Sequence, residues 1–128
     1  MQKITLAKTA GFCFGVSRAV HLLEGMVARG EKACTLGPII HNPQVISYFE
    51  AHGVRVIGAP TECHKNETLV VRTHGVPKET LEAVGKMPLH VQHATCPFVT
   101  KIHKIVPEHS NTTHVPLLPH HAYPPPLL

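Results

Sequence analysis

Short apolar runs alternate with stretches of helical period as far as about residue 106, and this alternation restricts the chain more than any other feature. Residues 3–7, 33–36, 54–57, 68–72 and 89–93 read as strands. Between the first two, Val16, Ala19, Val20, Leu23 and Val27 fall on one helical face, and Gly30 is placed to stop that helix. Pro43 opens a second helix, with Val45, Ile46 and Phe49 inward and an end near Gly53. Pro77 opens a third, carrying Leu81 and Val84, and Pro97 a fourth, with Phe98, Ile102 and Ile105 on one side. Proline suits the first helical position, where its missing N–H would have no partner anyway. Strands that alternate with helices predict an α/β domain with a mainly parallel sheet.

Composition narrows the function classes. The chain has 128 residues, 43% hydrophobic and 16% charged, enough for one ordinary globular core. A net charge of +4 suits an anionic small molecule. With 5% aromatics and no basic run, a nucleic-acid reader is not expected. No stretch approaches the ~20 apolar residues of a membrane span, and the N-terminus lacks the apolar centre of a signal peptide. A cytoplasmic location is therefore expected. In that reducing compartment Cys13, Cys34, Cys63 and Cys96, with no CxxC pair among them, read as free, metal-bound or catalytic.

Four loop motifs stand between a predicted strand and a predicted helix: GFCFGV around Cys13, GPIIHNPQV around His41, RTHGVP around His74 and ATCPFV around Cys96. In an open α/β sheet such loops gather at the carboxyl ends of the strands, where ligands bind. Helix N-termini there offer N–H groups to phosphate. Two cysteines and two histidines, distant in sequence, are thus expected on one rim. Taken singly, each has a plainer account: a lone cysteine is most often a small buried hydrophobe, and a loop histidine most often bonds nearby backbone. Cys34, inside a strand, is read as core, and Cys63, in APTECHKNE, as a surface thiol. His21, His52, His64, His90 and His103 are read as surface or packing residues. Gly11 and Gly15 flank Cys13 and would allow a tight turn and close approach to a bulky cofactor.

The ordered set GFCFGVSRAV, TLGPIIHNPQV, VVRTHGVP and ATCPFVTKIHKIV resembles the N-terminal part of the 4-hydroxy-3-methylbut-2-enyl diphosphate reductases, over residues 1 to about 106. The resemblance implies an oxidoreductase of the non-mevalonate isoprenoid pathway. Such an enzyme converts an allylic alcohol diphosphate to isopentenyl and dimethylallyl diphosphates with two electrons and two protons. It implies three α/β lobes, this chain being the first, around a [4Fe–4S] cluster held by three cysteines. Cys13 and Cys96 would be two metal ligands, His41 and His74 would hold the diphosphate substrate, and a ferredoxin or flavodoxin would supply electrons. No membrane or nucleic-acid partner is implied. The third cysteine and the family's proton donor have no counterpart here, so no catalytic residue is assigned and the chain is expected to be a truncated, inactive form. His93 stands where the family usually has an acidic residue. Two readings of other classes stay open: a small non-catalytic Cys/His metal-binding module, and a bare diphosphate-binding domain.

The composition changes at Pro107. Residues 107–128 hold six of the twelve prolines and four of the twelve histidines, including His114, His120 and His121. The domain is therefore placed at residues 1–106. The remainder is expected to be a disordered Pro/His-rich tail from a shifted reading frame, with Pro107 cutting the last helix short.

Overall fold

A computed structural model describes residues 4–109 of the chain. The sheet holds β1 (Ala33–Leu36), β2 (Arg55–Ile57), β3 (Thr68–Val71) and β4 (His90–His93). Its order is β2-β1-β3-β4, and every neighbouring pair is parallel. Helices α1 (Phe14–Ala28), α2 (Pro43–Ala51), α3 (Lys78–Gly85) and α4 (Pro97–His109) alternate with these strands, as the sequence predicts, and a short 3₁₀ turn, Pro60–Glu62, follows β2.

Side-chain alternation along the strands divides the core into two layers. Leu23 and Met26 of α1 and Phe49 of α2 pack with Ala33 and Val70 on one face. On the other, Val84 of α3 packs with Cys34, Leu36, Leu69 and Val71. Leu69, Val70 and Val71 are wholly buried, and each such side chain contributes about 1.5–3 kcal/mol through its removal from water. Strand β4 is the contrast: it closes one edge of the sheet, and its residues are exposed or half-buried.

Element ends follow local chemistry. The chain leaves α1 through Gly30 at φ 69° and α2 through Gly53 at φ 85°, conformations that favour glycine. Asn42 caps α2, its Oδ1 accepting from the Val45 N–H at 3.1 Å.

Two expectations change. Residues 4–7 form no strand; Ile4 and Leu6 are 93% and 82% exposed. An apolar run makes a strand only where a neighbour completes its hydrogen-bond ladder, and none does so here among the described residues. Helix α4 is not cut at Val106: it continues through Pro107 to His109. Pro107 forfeits one N–H bond, to the His103 carbonyl, without ending the element there. Lys3 and the tail beyond residue 109, with His114, His120 and His121, lie outside the described residues.

Candidate functional site at the strand ends

Strands β1 and β3 are adjacent, but the connection after β1 runs outward to β2 and the chain returns to β3 on the other side. The order reverses between them. At such a switch point the loops leaving the two strands part and open a crevice, where α/β sheets bind ligands. His41 lies on the loop after β1 and His74 on the loop after β3, with ring centroids 5.1 Å apart. The sequence reading placed both at strand ends; the strand order makes them neighbours.

Backbone and side-chain bonds hold that crevice. The Thr73 hydroxyl donates to the Ile39 carbonyl at 2.9 Å, which ties the His74 loop to the His41 loop. Arg72 Nε donates to the Gly75 carbonyl at 3.1 Å, across a turn in which Gly75 has φ 76°. His41 is exposed and His74 half-buried. Burial, then the neighbouring His41 and Arg72, hold the His74 imidazole below its ordinary pKa of 6.5.

The same loops lead to the cysteines. The Cys96 N–H donates to the Thr73 carbonyl at 2.9 Å, one residue from His74. The Cys96 carbonyl then accepts the Thr100 N–H at 2.9 Å, so Cys96 stands at the entry of α4. Cys13 holds the equivalent position on α1, its carbonyl accepting the Ser17 N–H at 2.9 Å. Its side chain makes no capping bond. Ser, Thr, Asp or Asn would stabilise that helix end by about 1 kcal/mol, so cysteine here gives up local stability.

Three contacts bring the two helix entries together. A Cβ added at Gly15 would lie 2.6 Å from Cys96 Sγ and 2.8 Å from its Cβ. Phe14 and Phe98 pack edge to face, centroids 6.3 Å apart. Arg18 of α1 donates to the carbonyls of His93 and Thr95, each at 3.3 Å. Cys13 therefore reaches this rim from the start of α1 rather than from a strand end, because the strand expected before it is absent. The sequence reading gives Gly15 a role in close approach to a cofactor but not its contact with Cys96, and gives none to Arg18 or Thr73. Gly15 was legible as a small residue, but its partner lies far along the chain and leaves no local signal.

Cys34 is fully buried, as expected. Burial, and then the adjacent Cys63, push its thiol up to about 12. Cys63 was expected at the surface; it is half-buried and packs against the same core layer as Cys34. Among the described residues, no helix is long and apolar enough to cross a membrane.

Comparison with known proteins identifies the family and the fold. The family described as LytB protein matches residues 4–123, past the point near Val106 where the sequence reading ended the resemblance. The 4-hydroxy-3-methylbut-2-enyl diphosphate reductase of Geobacter sp. (strain M21) is 46% identical over 99 residues, 77% of this chain and 35% of the relative. That of Aquifex aeolicus is 44% identical over 107 residues, 83% of this chain and 37% of the relative. The chain thus spans little more than a third of the length of these relatives. A solved structure of (E)-4-hydroxy-3-methyl-but-2-enyl diphosphate reductase superposes with a TM-score of 0.68 at 42% identity, covering 84% of this chain and 38% of that one. The Plasmodium falciparum reductase superposes with a TM-score of 0.71 at 28% identity, over 80% of this chain and 33% of that one. The fold, the rim and the match over nearly the whole sequence converge: the chain belongs to the LytB protein family.

Proposed function

We propose that this chain forms the diphosphate-holding, two-thiolate lobe of a 4-hydroxy-3-methylbut-2-enyl diphosphate reductase. The observation that carries the reading is the His41–His74 pair at the β1/β3 switch point. The reaction replaces a carbon–hydroxyl bond by carbon–hydrogen, takes up two electrons and two protons, and releases water. In this reading His41 and His74 donate N–H bonds to the diphosphate oxygens and fix the allylic end of the substrate relative to the rim. Such bonds to a charged acceptor are short and strong.

The donor set at the rim fits part of an iron–sulfur cluster. Cys13 and Cys96 would hold two of its corners, at helix entries that Gly15 lets approach closely. Cys34 and Cys63 lie in the core layer instead, so the remaining thiolate would come from outside these four cysteines. When bound, the cluster would pass on, one at a time, the two electrons that an external ferredoxin- or flavodoxin-type donor supplies. The residues of this chain position the diphosphate and present the two thiolates.

Calorimetric titration of the full chain with pyrophosphate tests the substrate half of this reading. His41→Ala and His74→Ala each weaken binding about tenfold or more, since a hydrogen bond to a charged group contributes ~1.5–3 kcal/mol. Without the anion, burial holds the His74 imidazole below its ordinary pKa of 6.5, which favours the neutral ring. An anion favours the protonated ring, so binding takes up a proton and tightens as pH falls toward the imidazole range. Unchanged affinity in the double variant would sink the reading.

A further inference from the structure

Away from the rim, on the sheet face covered by α3, a second set of ligand-type side chains converges. Cys34 of β1 and Cys63 and Glu67 of the segment between β2 and β3 each offer one ligand atom, and all three atoms lie within 4.8 Å of one another. Cys34 is fully buried and Glu67 is 6% exposed. We propose that Cys34, Cys63 and Glu67, completed by the imidazole of His64, form a thiolate-rich binding site for a divalent zinc-type cation.

The surroundings support a built site. The His64 N–H donates to Glu67 Oε2 at 2.9 Å and fixes the carboxylate. His64 Nδ1 lies 3.3 Å from the same oxygen, on a side chain exposed enough to turn inward. A tetrahedral zinc site with sulfur at about 2.3 Å needs neighbouring ligand atoms roughly 3.5–4 Å apart. The ligand atoms of Cys34, Cys63 and Glu67, all within 4.8 Å of one another, are within a small adjustment of that geometry, and His64 joins them by turning its side chain. Two thiolates select a soft or borderline ion over magnesium or calcium.

Charge closes the argument. Arg55 Nη1 lies 3.3 Å from each Glu67 oxygen and pairs with that carboxylate in the metal-free chain. Replacing the two thiol protons by one divalent cation then leaves the net charge of the cluster unchanged. The buried layer can take the ion without burying an uncompensated charge.

The full chain carrying Cys13→Ala and Cys96→Ala, reduced and anaerobic, is titrated with Co²⁺. One equivalent should bind, with a thiolate-to-metal charge-transfer band and the visible d–d bands of tetrahedral cobalt, and Zn²⁺ should displace it. Adding Cys63→Ala to this background abolishes both features, and Glu67→Gln weakens binding about tenfold or more. In the unsubstituted chain, Zn²⁺ should slow alkylation of Cys63, mapped by mass spectrometry; that readout stands even where a variant does not fold. Absence of the bands in the Cys13/Cys96-substituted chain, bands that survive Cys63→Ala, or Cys63 alkylation indifferent to Zn²⁺ each overturns the proposal.

Discussion

The four cysteines fall into two pairs with different surroundings. Cys13 and Cys96 stand at helix entries on the rim, the first exposed and the second half-buried, and Cys96 bonds to the backbone of the His74 loop. Cys34 and Cys63 belong to the core layer on the α3 face, the first wholly enclosed. The difference teaches that cysteine chemistry here is set by which end and which face of the sheet a residue occupies. Thiolate access, not sequence context, separates the pairs.

Thiol reactivity should break or sharpen that contrast most strongly. With metal removed by chelator, Cys13 should be alkylated rapidly and Cys34 last of the four. A thiol pushed from an ordinary 9.0 to about 12 holds about a thousandfold less thiolate at neutral pH, and Cys34 is enclosed as well. Time-resolved mass spectrometry with iodoacetamide measures the order. Comparable rates at Cys34 and Cys13 would erase the distinction.

Packing at the rim supplies the next effect. Gly15→Ala forces a methyl group to within 2.6 Å of Cys96 Sγ. The overpacking costs about 1–3 kcal/mol, less some tenths recovered from helix propensity. Gly85→Ala is the control, because an added methyl there meets nothing within 4 Å. Urea denaturation should show a lower midpoint for the first variant and an unchanged or slightly higher one for the second. If both behave alike, the close approach of α1 and α4 is not as described.

Single deletions of sulfur come last in size. Cys34→Ala removes a buried atom from the central layer and should cost on the order of 1 kcal/mol through lost packing. Cys13→Ala, at an exposed position without a capping bond, should stay within about 0.5 kcal/mol of the parent chain. The same denaturation assay compares them.

Much of the fold was legible because it is written locally. Residues 33–36 form a short run that ends at Gly37, and Pro43 and Pro97 mark the first residues of α2 and α4. Where a property depends on a distant partner, local reading fails. Residues 4–7 have strand composition, but a strand requires a neighbour that composition cannot supply. Cys63 reads as a loop thiol because nothing around it announces that β1 lies beneath. For the site, motif position was enough to put His41, His74 and Cys96 at one rim. Their adjacency depends on the strand order, which no spacing in the sequence reveals.

That order also governs when the crevice can exist. Strand β1 pairs with β3 across all of α2 and β2, Cys34 opposite Leu69. His41 and His74 cannot meet until this long loop has closed, and loop closure spends chain entropy before any contact compensates it. The crevice thus requires the assembled β1–β3 pair and is absent from any partly assembled chain in which only local helices have formed. An anion that bridges the two loops would act as a clasp on the finished sheet, favouring the native state by mass action.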